Sequence, residues 1–357
     1  NSSLGLLRQW RSRNKVYLMS RLCVIKSGLG LAIQDKGRPG YLQQGLSRSG
    51  VADRVAIAEA NALLDQNGNL AALEICGGGV SFKAEGNIRI ALTGAPMEAS
   101  LDGQHITWNS SHILPDGAIL AIGAVKEGVF GYLSVGGGFE TPTLLGSRSS
   151  HLNANLGPHI VTGDVLPIGT DGGTKAGVKL PYDDRFKGGK VRIVSSVQTE
   201  LFSKKELKRF TKTIFRRSNR GNRMGFELDF DGKGFATKDQ LSILSDIIIP
   251  GDIQMTGDGK SYVLLPECQT TGGYPRIGTI IPADLPKIAQ TAARSEIRFE
   301  FVSLEEAINI EKIVMTELSN LRKKITGVYR DPSTMNDLLS YQLVDGVTSA
   351  MDKMEDL

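Results

Sequence analysis

Ile113-Leu114-Pro115-Asp116-Gly117-Ala118-Ile119-Leu120-Ala121-Ile122-Gly123 reads as an apolar strand, a Pro-Asp-Gly reversal and a second strand closed by glycine. The pattern returns in Ile160-Val161-Thr162-Gly163-Asp164-Val165-Leu166-Pro167-Ile168-Gly169. Glycine supplies the left-handed backbone that a tight reversal needs, and the flanking branched residues suit a pleated surface. Each stretch predicts a barrel hairpin, although an echo this short does not establish a duplicated domain.

Working outward, short strand-like runs continue on both sides. Residues 21–25, 88–93, 119–122, 129–135 and 165–168 alternate or run apolar between turn signals, and Asp102-Gly103 marks a tight hairpin. A second strand-rich stretch begins near residue 191, with candidates at 191–196, 226–230, 253–256, 262–265 and 297–301. Helical spacing is confined to a few places. Val55, Ala58, Ala62 and Leu63 share one face of a helix over residues 52–64, and Ser203-x-x-Glu206 and Ser303-x-x-Glu306 have capping-box spacing. Leu318, Leu321 and Ile325 form one late apolar stripe, and Leu338, Leu339 and Leu343 another. Forty-two glycines beside 6% aromatic residues fit a β-rich chain with many turns.

Charge is placed unevenly. Arg8, Arg11, Arg13 and Lys15 account for the whole formal net charge of +4, so residues 1–20 read as a flexible basic extension on a neutral body. A neutral body with few aromatics argues against a nucleic-acid face. No apolar run is long enough to span a bilayer, so no membrane partner is expected. Cys23, Cys76 and Cys268 are odd in number and scattered, which fits a reducing, cytoplasmic location.

Several chemistries lack their signatures. Gly259-Lys260-Ser261 has the ending of a phosphate-binding loop, but Gln254 stands where its first glycine belongs. His105, His112, His151 and His159 have no metal-ligand spacing, so no metal is expected. Ser150-His151 does not by itself pair a nucleophile with a base, and Cys268 reads as a buried strand cysteine. Gly77-Gly78-Gly79 and Gly136-Gly137-Gly138 suit either an anion-binding nest or a close crossing of backbones. Charge joins rigid loops at Asp35 and Arg38, Asp53 and Arg54, Arg148, Asn222 and Arg223, and the polar run from Gln269 to Tyr274. Arginine clamps carboxylates, and Gln and Thr position amides; a loop-fixing network of Arg and Asp is the other reading.

Four of these strings occur together and in order: Gln34-Asp35-x-Gly37-Arg38-x-Gly40, Leu92-Thr93-Gly94-Ala95, Leu145-Gly146-Ser147-Arg148 and Gln269-Thr270-Thr271-Gly272-Gly273-Tyr274-Pro275. Over residues 21–307 the chain resembles the 5-oxoprolinase C-subunit family, also described as the biotin-dependent carboxyltransferase-like or allophanate hydrolase subunit 2 family. The resemblance implies a mainly β fold of two cyclophilin-like β-barrel domains, at 21–170 and 191–307, with peripheral helices. Residues 171–190 would be the linker and 308–357 a helical C-terminal extension. It also implies work within a complex. Together with a B-subunit homologue and the family's A-subunit, the chain would use ATP to open 5-oxoproline to glutamate, the nucleotide being bound on another chain or shared. Alternatives within the family are the carboxyltransferase component of a biotin-dependent urea or amide carboxylase, and a regulator that binds a kinase-inhibitor homologue without turnover.

On that resemblance Asp35, Asp53 and Arg148 are the catalytic candidates. Arg38, Asn222, Arg223, Gln269, Thr270 and Tyr274 are the candidates for binding a small amide or lactam. The chain departs from the family where Ser49-Gly50-Val51-Ala52-Asp53 replaces the common S-G-x-M-D, and where Glu267-Cys268 replaces Asp-Arg.

Overall fold

The computed structural model describes residues 20–237 and 243–328. The basic extension up to residue 19 and the stripe at 338–343 lie outside the described residues.

Two sheets are built from the first half of the chain. One has six strands in the order Val165–Pro167, Arg21–Lys26, Val80–Glu85, Ile119–Val125, Met97–Leu101 and Gln104–His105. The other has seven: Ala32–Gln34, Ala72–Cys76, Phe130–Val135, Ile88–Gly94, Ser110–Leu114, Val178–Lys179 and Thr326–Gly327. Leu22, Phe82 and Ile122 from the first sheet meet Ile33, Ile90 and Leu133 from the second in one core. The middle strands of the seven-stranded sheet are covered on both faces, so Ile88–Gly94 and Phe130–Val135 are buried throughout and do not alternate. Their second face carries helix α1, Arg54–Leu63, whose small Ala56 and Ala60 let it lie close to the strands. Thr93 Oγ1 donates to Ala56 O at 2.8 Å across that contact.

The second half closes on itself. Gly189–Val194, Arg276–Ile280, Asp252–Met255, Ser261–Leu264, Gly225–Asp229, Phe215–Asn222 and Glu296–Phe301 form a closed barrel, and Asp246–Ile247 pairs with Thr271–Gly272 beside it. Helix α2, Lys204–Lys212, sends Phe210 into the barrel core, where it stacks on Phe299 with ring centroids 5.1 Å apart. Ser203 caps α2 by accepting from Glu206 N at 3.2 Å. The reciprocal half of the box is missing, because Glu206 turns its carboxylate to Arg209 and to Ala236 N. Helix α3, Leu285–Gln290, and helix α4, Leu304–Ser319, complete the described α-helices.

Two expectations change, and one closed barrel is shown rather than two: among the described residues the first unit forms two facing sheets, whose end strands accept further bonds from Ser150 N to Ile33 O and from Glu140 N to Pro167 O, both at 2.8 Å. The quoted stretch is no hairpin: Leu114 ends in the seven-stranded sheet against Ile88, while Ile119 begins in the six-stranded sheet against Lys83. The reversal, bonded from Ala118 N to Pro115 O at 3.1 Å, is a corner between sheets. In its echo, only Val165–Pro167 is a strand, paired with residues 21–23. Periodicity reports that a strand exists and is silent on the partner it takes.

The segment 171–190, expected as the linker, packs against the first unit. Val178–Lys179 adds to the seven-stranded sheet, Asp171 binds Arg89 at 2.5 Å, and Arg185 is buried. Both glycine triplets turn out to be backbone crossings. A Cβ on Gly78 would collide with Gly123 O, and one on Gly137 would collide with Gly169 O. The late stripe packs on the chain itself, with Leu321 and Ile325 against Ala60, Leu63 and Leu64.

Candidate functional site

Four of the sequence-predicted site residues, Asp35 with Arg148, Asp53, and Arg223, fall into three groups around the junction of the two units. Asp35 follows the strand Ala32–Gln34 and ties down the loop at 144–149. Its carboxylate accepts from Gly37 N (2.7 Å), Ser147 Oγ (2.6 Å), Ser149 Oγ (2.6 Å) and Arg148 N (2.7 Å). Burial pushes its pKa up, and these four donors outweigh burial and hold it below the usual value. Arg148 contributes its backbone there, while its guanidinium turns away to Glu140 Oε2 at 2.8 Å and to Thr141 O.

Asp53 is completely buried at the N-terminus of α1. Oδ1 accepts from Val55 N and Ala56 N; Oδ2 accepts from Arg185 Nε and Gln290 Nε2, both at 2.8 Å. Four donors use all the lone pairs of a carboxylate. Arg185 also binds Glu59 at 2.7 Å and Asp183 at 2.5 Å. Burial pushes Glu59 up to about 7, against the pull of Arg185.

Arg223 is the centre of the third group. It comes from the turn between Phe215–Asn222 and Gly225–Asp229 and reaches across to the first unit, donating to Glu74 Oε1, to Gly50 O at 2.5 Å and to Glu267 Oε1 at 2.5 Å. Burial alone would lower its pKa; Glu74 and Glu267 hold it above the ordinary arginine value. Tyr132 Oη donates to Glu74 Oε2 at 2.6 Å and accepts from Asp53 N at 2.9 Å. A continuous buried network thus runs from Glu267 through Arg223, Glu74, Tyr132 and Asp53 to Arg185 and Glu59.

Arg38 differs from the rest. It is 1% exposed and has no carboxylate partner among the described residues. Its Nη2 donates to Ser149 O and its Nε reaches Leu144 O at 3.5 Å, while Nη1 has no hydrogen-bond partner. Burial lowers its pKa, and Asp35 and Glu267 resist that from nearby.

Asn222, Gln269 and Tyr274 stay outside the buried network and face solvent. Asn222 accepts from Met224 N at 2.7 Å in its turn, and Thr270 offers its carbonyl to Ile248 N at 3.0 Å. Cys268 is buried in a loop rather than a strand, and burial pushes its thiol up to about 12, so it is no nucleophile. Among the described residues, no group of three or more His, Cys, Asp or Glu is placed to hold a metal, and no helix is long and apolar enough to cross a membrane.

Sequence reasoning missed Glu74, Tyr132, Arg185, Gln290, Ser47, His151 and Glu267 as site residues. Glu74 carried a usable signal, since an acid inside Ala72-Leu73-Glu74-Ile75 needs a buried partner.

Residues 44–301 match the family model described as carboxyltransferase domain, subdomain A and B. The chain is 34% identical over 295 residues to the C-subunit of 5-oxoprolinase from Escherichia coli, covering 80% of this chain and 93% of that protein. It is 31% identical over 298 residues to the C-subunit of 5-oxoprolinase from Haemophilus influenzae, covering 82% and 94%. The structure superposes on K. lactis urea amidolyase with a TM-score of 0.75 at 22% identity, covering 93% of this chain and 22% of that one. That likeness concerns the fold of a segment under a quarter of the larger protein's length.

Proposed function

The chain belongs to the carboxyltransferase-domain family that includes the C-subunit of 5-oxoprolinase, and from that membership we propose that it fills the same place in an ATP-dependent 5-oxoprolinase complex. The observation that carries the reading is the match to the E. coli protein along 93% of that protein's length. The geometry supports it. Segments 34–38, 144–151, 222–224 and 267 converge at one junction, where fixed donors and buried charge suit the oxygen charge that develops as an amide is opened. The chain acts there with its A and B partners, and ATP is assigned to one of them. Both glycine triplets that might have cradled a phosphate are taken up in backbone crossings.

The test is glutamate release from 5-oxoproline with ATP, using this chain and its cognate A and B partners, each omitted in turn. Release that needs all three is the expected outcome. No release from a demonstrably assembled complex sinks the reading and turns the search to carboxyl transfer from a biotin carrier.

A further inference from the structure

Three buried side chains at the junction form a file. Ser47 Oγ lies 2.8 Å from His151 Nε2, and His151 Nδ1 lies 3.6 Å from Glu267 Oε2. The spacing resembles a nucleophile, base and acid, but the hydrogen bonds give another order. Ala154 N donates to Nδ1 at 3.1 Å, so the neutral ring carries its proton on Nε2 and donates it to Ser47 Oγ. Burial lowers the pKa of the ring and so favours its neutral form, with Arg38 and Arg223 assisting and Glu267 opposing. His151 therefore fills a lone pair of Ser47 and leaves the serine hydroxyl hydrogen free to be given away.

The second free donor is Arg38 Nη1, whose guanidinium sits close enough to bear on the His151 charge. Arg38 and Ser47 stand at the two ends of segment 39–46, and Arg38 N closes the base of that loop on Arg48 O at 2.9 Å. Within the segment, the backbone bonds of Gln44, Gly45 and Leu46 all go to Tyr41 or Leu42. Gly40 and Gly45 have positive φ and open space around them. A loop bonded only to itself and flanked by such glycines can lift away from the residues at its ends.

We propose that Arg38 and Ser47 form a carboxylate subsite beneath the 41–46 loop, with His151 as the positioning residue that turns the Ser47 hydroxyl toward the ligand. A guanidinium and a hydroxyl, both donors, fit the two oxygens of a small organic carboxylate. On the oxoprolinase reading, that group is the carboxylate of 5-oxoproline; the subsite itself depends only on the donors.

The experiment titrates the full chain, alone and assembled with its A and B partners, with 5-oxoproline, glutarate and 2-pyrrolidinone. Binding is followed by calorimetry and by the imidazole 15N resonances of His151. Carboxylates should bind and shift a ring that is in the Nε2–H tautomer, and 2-pyrrolidinone, the lactam without the carboxylate, should not. Arg38→Gln and Ser47→Ala should each weaken carboxylate binding roughly ten- to a hundredfold. Ser47→Ala removes one oxygen, so it keeps the test alive if Arg38→Gln fails to fold. The proposal is overturned by equal binding of 2-pyrrolidinone, by an Nδ1–H tautomer, by unchanged affinity in folded Ser47→Ala, or by no carboxylate binding in either setting. Glutarate binding that needs Ser47, in a complex that never releases glutamate from 5-oxoproline, would uphold the subsite and remove the oxoprolinase reading. Turnover without carboxylate binding here would do the reverse.

Discussion

Arg223 holds two carboxylates that have no other arginine or lysine in contact among the described residues, and it does so out of water. Replacing it with Ala leaves Glu74 and Glu267 buried without their cation, so Arg223→Ala should cost about 3–5 kcal/mol in urea unfolding. A loss below about 1 kcal/mol would show that water or a rearranged donor takes its place. Glu59 makes a prediction of the opposite kind. Its pKa rises from 4.5 to about 7 on folding, so the folded state takes up a proton between those values. Its contribution to stability is full below pH 4.5 and fades as pH rises through 7. The unfolding free energy of the wild type should thus rise relative to Glu59→Gln as pH falls from about 8 to about 5, by up to about 1.4 kcal/mol per pH unit. Parallel pH curves for the two proteins would contradict this. Asp35 and Arg38 stand out in the sequence as charges in a Gly-rich loop, although the structure gives Asp35 hydroxyl and amide donors and Arg38 backbone carbonyls rather than each other. Glu74 carried a signal as an acid inside an apolar strand, but the identity of its partner did not show, because Arg223 lies 149 residues away.

At the scale of elements, strands and helices were legible where one side of the chain meets one environment. Arg21–Lys26 alternates and was readable; so was the existence of α1, although its buried face holds Ala56 and Ala60 in place of Val55 and Ala58, and its cap Asp53 was not read as one. The glycine triplets show where such reading stops. Gly77, Gly78 and Gly79 all have positive φ and look equivalent in sequence, yet only at Gly78 would an added Cβ meet the strand Ile119–Val125. Gly77→Ala should cost about 1–2 kcal/mol for its left-handed backbone alone. Gly78→Ala adds a Cβ inside contact distance of Gly123 O and should cost more, by thermal unfolding measured side by side. Equal losses would mean that the crossing relaxes freely.

For the whole molecule, the question is whether the two units unfold together. Gln290 of the second unit donates to Asp53 and Phe130 O and accepts from Phe130 N at 3.0 Å, which stitches α3 to the seven-stranded sheet. Arg223 adds a second tie, and Ser49 N to Pro266 O at 3.0 Å a third. In a Trp10→Phe background, Trp108 fluorescence and backbone circular dichroism should therefore share one urea midpoint; two separate midpoints would show units that fold independently. Strand content was legible at this scale, but barrel closure and the ties were not, because both depend on residues brought together from distant parts of the chain.

The strands that end the two sheets are Val165–Pro167, Gln104–His105, Ala32–Gln34 and Thr326–Gly327, each two or three residues long. A stray chain seeking unpaired amides finds a ledge too short to zip along, and the barrel offers no ledge at all. Among the described residues, the sheet ends are thus too short to serve as long templates for pairing between copies of the chain.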